Sequence, residues 1–429
     1  MRVAVIGSGI SGLGCAHALR HDAHVTLYEA EPRLGGHTNT VDITLDGINY
    51  PVDTGFLVFN ERTYPNLIRL LAELGVPTAK SEMSFAVSVQ HGRRRIEWSG
   101  TDLNSVFAQR RNLLSPRFLA MLRDILRFNA QATRIAQGQE AIEARVSLGA
   151  FLDEHGYGEP FRQWYLLPMA AAIWSCPMAT MVAYPVTTFV RFCHNHGLLQ
   201  VNERPQWYTV KGGARQYVHR IASGLHEVRT NEPVLEVRRD GGSRRIIVRS
   251  RSGAASYDHV VLACHSDQAR RLLVDADADE RGVIGKVSYQ PNRAWLHTDE
   301  RLMPSSRRVW SSWNYMSAGG SDPAVSVTFL LNKLQPLPFS TPVFVSLNPV
   351  VAPRAEFVLG EFDYTHPVFD EAAIEAQQRL GGIQGRRGIW FAGAWTGYGF
   401  HEDGLKSGLA VAAALRRVLA TPSPLQRVA

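Results

Sequence analysis

Six residues near the start of the chain, Gly7-Ser8-Gly9-Ile10-Ser11-Gly12, have the types and spacing that grip a diphosphate. An apolar run precedes them as a strand, and a small-residue run follows as a helix. Phosphate oxygens need backbone N–H groups within hydrogen-bond reach, and a Cβ would stand in the way. Gly7 makes the tight turn, Gly9 lets the backbone reach the pyrophosphate, and Gly12 lets helix and strand pack closely, with Ile10 and Ser11 in the same grip. Glu29 ends the next strand, 22 residues beyond Gly7, and is placed to accept from a ribose 2′-OH, with Ala30 beside it. A carboxylate there repels a 2′-phosphate, which argues against NADP. Far along the chain, GIWFAGAWTGYGFHEDGLKSGLAVAAAL reads as an apolar strand, a glycine-rich turn and a small-residue helix. Gly393-Ala394 close the strand, and Asp403, Gly404 and Leu405 lie where the helix opens, with unpaired N–H groups and partial positive charge at its N-terminus. The two ends are expected to hold one dinucleotide between them.

Two more glycine motifs lie between. Gly35-Gly36 leads into His37-Thr38, and Asp53-Thr54-Gly55-Phe56-Leu57 follows. Alone, the first could be an ordinary turn and the second a plain hairpin. The doublet resembles the stretch after the second strand in monooxygenase-like and amine-oxidase-like flavoproteins, where the backbone passes close to the diphosphate. More widely, GSGISG, GGHTNTV, DTGFLVFNERTYPN, MSFAVSV, WSSWNYM and GYGFHEDGLKSG resemble FAD-dependent oxidoreductases of the flavin amine oxidase superfamily. Within it they are similar to a bacterial flavoprotein group associated with cyclopropane fatty acid synthases, and to the N-terminal part of the plant cyclopropane synthases. The resemblance spans nearly the full length. It implies a Rossmann-like α/β FAD-binding domain of amine oxidase and glutathione-reductase type with a discontinuous α+β substrate domain. It also implies a link to acyl-lipid modification, with a cyclopropane-synthase-type methyltransferase as partner.

The same resemblance routes Thr54–Leu57 past the isoalloxazine edge, with Phe56 or Leu57 over a ring face, and Val234 of the returning strand joins the expected cofactor contacts. The final helix would aim its N-terminus at flavin N1 and O2, although Asp403 could equally be that helix's N-cap. Two departures stand out. His37 replaces the arginine common after the doublet, and Ala394 stands where an acidic residue often holds the ribityl diphosphate. No cysteine is expected near the C-terminal turn, so the FAD is expected to be non-covalent.

Flavin N5 accepts hydride, so few protein acids or bases are required, and no catalytic residue is assigned. Lys286 is one candidate for a lysine near N5, but Asn292 or Arg293 in the following strand would come closer. His194 and His196 could share one face of a strand; without further ligands they read as pocket or core residues, not as a metal site. Trp174, Trp207, Tyr208, Tyr398 and Phe400 could wall the site or simply pack the core. From Trp164 to Val190 there is no charged side chain. That length could cross a bilayer, but Pro168, Pro177 and Pro185 favour short helical pieces lining a substrate pocket.

The elements that must position these residues begin as a βαβ unit: strands over 2–6 and 24–28 around a helix from about Ser11 to Arg20. A helix follows over TYPNLIRLLAELG, stopped at Gly75. Residues 80 to 205 then turn helical and aromatic. The chain returns at Gly212-Gly213 before a helix, continues through strands with a hairpin at Asp240-Gly241-Gly242, makes a second strand-rich excursion to about residue 370, and closes at 388–418. The expected FAD-binding domain is therefore 1–80, 206–285 and 386–420, and the substrate domain 81–205 and 286–385.

Composition fits a soluble enzyme of 429 residues, 45% hydrophobic and 20% charged. The first strand begins at once, so no cleavable leader is expected. Cys15, Cys176, Cys193 and Cys264 lack metal or disulfide spacing, which fits a reducing cytoplasm. The net charge of +7 comes almost wholly from arginine, as in Arg110-Arg111, Arg307-Arg308 and Arg416-Arg417. It reads either as compositional bias or as a surface for peripheral contact with an anionic inner leaflet; no nucleic-acid motif accompanies it. The leading expectation is an oxidoreductase removing hydride from an apolar, lipid-like substrate. The alternatives are an oxidase of small amines, and a flavin isomerase or accessory protein of lipid modification.

Overall fold

The computed structural model describes residues 1–143, 145–175, 177–200, 204–318 and 326–420. Cys176 and the tail after 420 lie outside them. Five short strands form a parallel sheet in the order 227–229, 24–28, 2–6, 259–262, 389–391, and all but the half-buried edge strand 227–229 (Glu-Val-Arg) are mostly apolar and buried. Their near-continuous hydrophobic runs are what a sheet covered on both faces requires. The strands come from three separated stretches of chain, so the sheet closes only when residue 389 arrives beside 260.

The opening helix Ile10–Leu19 and the closing helix His401–Ala420 pack directly on one another. Small residues make this approach possible. A Cβ on Gly408 would overlap the Ser11 carbonyl, and one on Gly14 would overlap Leu405. Sequence positions nearly four hundred residues apart are thereby fixed side by side.

A seven-stranded mixed sheet forms the second layer, in the order 358–368, 288–297, 344–347, 326–330, 313–317, 85–91, 94–99. The expectation of a helical segment from residue 80 is corrected here: 78–81, 85–91 and 94–99 are strands. Phe85-Ala86-Val87-Ser88-Val89 is mostly buried against this sheet, and Gly92, at φ +57°, turns the hairpin. The arginine run after that turn hides the second strand from propensity reasoning. Another hairpin, 40–45 with 48–53, turns at Asp46-Gly47, both at positive φ as a two-residue type I′ turn needs.

Beyond residue 80, helices begin only after residue 102. Two prolines of the charge-free stretch sit at helix starts, Pro177 before 178–182 and Pro185 before 186–195, whereas Pro168 follows a π-helical turn, 162–166, that runs on into 167–174. A proline tolerated at a helix start breaks a continuous span into short pieces. Among the described residues no helix is long and apolar enough to cross a membrane. His194 and His196 fall at the end of a helix, not on a strand, so two residues' separation turns them to different faces.

Candidate functional site

Residues just beyond all five parallel strands (Gly7, Glu29, Glu232, Cys264 and Gly393) line one cavity of ≈ 1250 Å³. This is where an open parallel sheet binds ligands. Gly7 turns at φ +103°, with its missing Cβ only 2.7 Å from the Ala263 carbonyl. Gly12 is filled from behind, since a Cβ there would overlap the Gly7 oxygen, whereas a Cβ on Gly9 would project into open space. The opening helix begins at Gly9 with no side-chain cap and no acidic residue in its first turn. Its first N–H groups therefore face the cavity unpaired, the donor set a diphosphate requires.

Glu29 accepts from the Ser8 N–H at 2.9 Å and from the Glu31 N–H at 3.0 Å, holding a carboxylate at the cavity wall. Ile10, Ser11, Ala30, Gly35, Gly36, His37, Thr54, Gly55, Phe56, Leu57, Val234 and Ala394 also line the cavity. Gly55 packs against the His37 carbonyl, which accepts from the Phe56 N–H at 2.8 Å, so the two glycine motifs form one wall.

Five expected contacts do not reach the cavity. Gly12 serves the packing of the opening helix on the Gly7 turn and Ala263, and Gly404 and Leu405 serve the packing of the two helices; a Cβ on Gly404 would lie 2.9 Å from Ile10. Asp403 is the third residue of the closing helix and accepts from the Phe400 N–H at 3.0 Å, so it braces the helix start without being the N-cap. Burial raises its carboxyl to about 6. Thr38 bonds the Tyr217 hydroxyl, which meets His401 Nε2 at 2.7 Å. That contact props His401 flat against Phe56, ring centroids 3.8 Å apart.

A cluster that sequence reasoning missed lies between the two layers. His37 is 5.2 Å from His366, 5.1 Å from Tyr364 and 6.5 Å from His265, centroid to centroid. Burial holds all three imidazoles below their ordinary range: His37 well below it, His366 at about 4, His265 lowered. His401 is held at about 3 for the same reason. They are neutral at pH 7, and the buried Nε2 of His37 has no protein partner. Asn292 donates to His366 Nδ1 at 2.8 Å and accepts from Asn348 at 2.7 Å, which fixes that ring. Tyr364 meets Thr54 at 2.9 Å and Asn39 at 3.0 Å. Tyr364 and His366 stand two apart on one strand, a period-2 signal that could have flagged them.

Of the earlier candidates, Asn292 is part of this network. Lys286 is exposed and away from the cavity, and Arg293 points outward to Glu361 and Asp363. Cys264 corrects another expectation. Distant in sequence, it lies against the C-terminal turn, its carbonyl 3.4 Å from the Cβ position of Gly393. Burial pushes its thiol up to about 12, so it stays protonated and a poor nucleophile.

Beyond the cluster the cavity continues between the charge-free stretch and the seven-stranded sheet. Tyr165, Met169, Ile173, Trp174, Phe192 and Trp313 line it. Trp207, Tyr398, Phe400 and His196 do so too, while Tyr208 instead stacks on Phe59.

The sequence profile of flavin-containing amine oxidoreductases matches residues 10–333. The chain belongs to that family. The family is one of flavin-containing oxidoreductases, and FAD is its cofactor. A carotenoid phi-ring synthase of Streptomyces griseus is 30% identical over 328 residues, 68% of this chain and 59% of that protein, so the chain spans under two thirds of that relative. The mitochondrial protoporphyrinogen oxidase of Nicotiana tabacum is 27% identical over 177 residues, 40% of this chain and 32% of its own. Putrescine oxidase has the same fold, with TM-score 0.69 at 18% identity over 97% of this chain and 99% of that one. A CLA-producing fatty acid isomerase from P. acnes shares it with TM-score 0.66 at 15% identity, over 97% and 98%.

The site fits the cofactor. The free N–H groups and the room beside Gly9 suit its diphosphate, and Glu29 its ribose. Bound there, FAD supplies a hydride acceptor. The protein's own share is to hold it between both chain ends, keep a neutral imidazole wall against it and exclude water from an apolar chamber.

Proposed function

We propose that this flavoprotein removes hydride from an apolar, lipid-like substrate, an acyl chain or a cyclopropane or methylated derivative, with FAD bound non-covalently. One observation carries the reading: among the described residues, the only carboxylates lining the cavity are Glu29, Glu31 and Glu232, all at the nucleotide end. The remaining length is walled mostly by aromatic, aliphatic and thioether side chains; its polar members, Arg204, Gln200, Gln206 and Asn129 among them, include no anion. A cationic amine would enter this chamber without a counter-ion, at a desolvation cost that an acyl chain does not meet. The volume exceeds what a single drug-sized ligand needs, which leaves space for substrate beside cofactor. The CLA-producing fatty acid isomerase of like fold offers a precedent for an acyl chain beside such a site. The resemblance to cyclopropane-synthase-associated flavoproteins supports the same substrate class and a methyltransferase partner.

Anaerobic mixing of the flavin-loaded protein with phospholipids bearing unsaturated, methylated or cyclopropane chains tests the reading. Bleaching of the flavin with these lipids, and not with mono- or polyamines, is expected. Bleaching by amines alone would overturn it. Altered acyl chains with no lasting bleaching would replace net oxidation by isomerisation, in which the hydride returns to the substrate.

A further inference from the structure

The far end of the cavity opens at a surface of unusual composition. Residues 91–123 contain seven arginines and only two carboxylates, Glu97 and Asp102, a net charge of +5 against +7 for the whole protein. Glu97 is buried and taken up by Ser88, Ser305 and Ser306, so it does not offset the surface charge. Elsewhere arginine pairs are neutralised: Arg307 meets Glu300, and Arg416 meets Asp22 at 2.7 Å. Among the described residues, none of Arg93, Arg94, Arg95, Arg110, Arg111 and Arg117 forms an ion pair. Arg111 reaches the Arg95 carbonyl at 3.0 Å and Arg117 reaches His91 at 3.3 Å, so the hairpin turn and the helix start form one basic rim.

Inside that rim, large apolar side chains face solvent. Leu114 is 88% exposed, Leu103 76% and Leu126 60%, with Leu113 and Leu119 exposed beside them. Leu103 and Leu113 share a surface groove, and Leu119, Leu122 and Leu126 follow one face of the helix Pro116–Ala136. Leu103, Leu122 and Leu126 also line the main cavity, so the patch is the cavity's mouth. Exposed apolar surface ringed by unpaired cations is the composition of an interfacial docking face.

We propose that this surface docks on an anionic phospholipid bilayer, with Leu113 and Leu114 entering the acyl boundary and the arginine rim on the headgroups. The opening between Leu103 and Leu126 then faces the membrane. The proposal stands on the exposed leucines and unpaired arginines, independently of what the flavin oxidises.

Co-sedimentation of the flavin-loaded protein with vesicles tests it, using phosphatidylglycerol mixed into phosphatidylcholine against phosphatidylcholine alone. Binding to the anionic vesicles that weakens with salt is expected, with little binding to neutral ones. Each of Arg110→Gln and Arg111→Gln should weaken it about fivefold, and Leu113→Ser/Leu114→Ser about tenfold or more. None of these four side chains lines the cofactor cavity, so flavin content and flavin reduction by detergent-dispersed substrate should stay at the wild-type level. Equal binding to both vesicle types, or unaltered binding by both pairs of variants, overturns the proposal. A patch variant that changes the oligomeric state while vesicle binding persists assigns the face to a second copy and overturns it too.

Discussion

The two ends of the cavity are built from different materials. At the nucleotide end the working groups are backbone: N–H groups at an uncapped helix start, a turn at Gly7, open room at Gly9, with one carboxylate at Glu29. At the substrate end they are side chains, contributed by the charge-free helices, the strand 358–368, the strand 313–317 and the closing turn. A backbone site depends on a few glycines at fixed spacing. A side-chain site depends on which distant segments meet, and its chemistry changes whenever one of them does.

The sharpest way to break this contrast is within one motif. Gly12→Val puts a side chain into the Gly7 carbonyl and should cost about 4 kcal/mol or more, leaving little folded protein. Gly9→Ala adds a Cβ that meets no protein atom within 4 Å; it should keep the fold and its melting temperature as apoprotein while weakening flavin binding about a hundredfold, the loss of one or two charge-assisted hydrogen bonds. Thermal melts with and without added FAD distinguish the two, and equal behaviour would show that the grip is not made by backbone access.

At the other end, Trp174→Ala should cost about 3–5 kcal/mol. Its ring lies 4.6 Å from Phe192 and 5.2 Å from Tyr184 by centroid. Bound flavin per folded protein should stay unchanged, and urea titration followed by flavin release checks both.

The histidine wall between the two ends sharpens the comparison through pH. His37, His265, His366 and His401 have folded pKa values lowered by burial. Between about pH 4 and 6.5 the unfolded chain therefore binds more protons, and stability rises with pH over that window. Asp53, raised to about 7 by burial, and Asp403, raised to about 6, act in the opposite sense. His17, His196, His259 and His297 are lowered by burial as well, so the imidazoles outnumber the two carboxyls and a net gain in stability is expected from pH 5 to 6.5. A melting temperature that falls across that range would refute it, and His366→Gln should flatten the rise. The smallest effect belongs to Lys286→Ala. Exposed and outside the cavity lining, it should change stability by no more than about 0.5 kcal/mol and leave flavin reduction rates unaltered.

What could be read from residues alone follows the same division. Gly7, Gly9, Glu29, the Gly35-Gly36 doublet and the Gly393 turn could be grouped from the sequence, and they line one cavity, because backbone access and tight turns can be met by very few residue types. The βαβ start, the helix stop at Gly75 and the prolines that break 164–190 were legible for the same local reason. The strand 94–99 was not, since its arginine run opposes the alternation that marks a strand. Nor were His366 and Tyr364, whose partners Asn292, Asn39 and Thr54 lie up to 325 residues away. Cys264 at the C-terminal turn and the leucine mouth inside an arginine rim were likewise decided by tertiary packing. Neighbour relations across hundreds of residues are set by strand order and helix docking, and local sequence pattern carries no record of them.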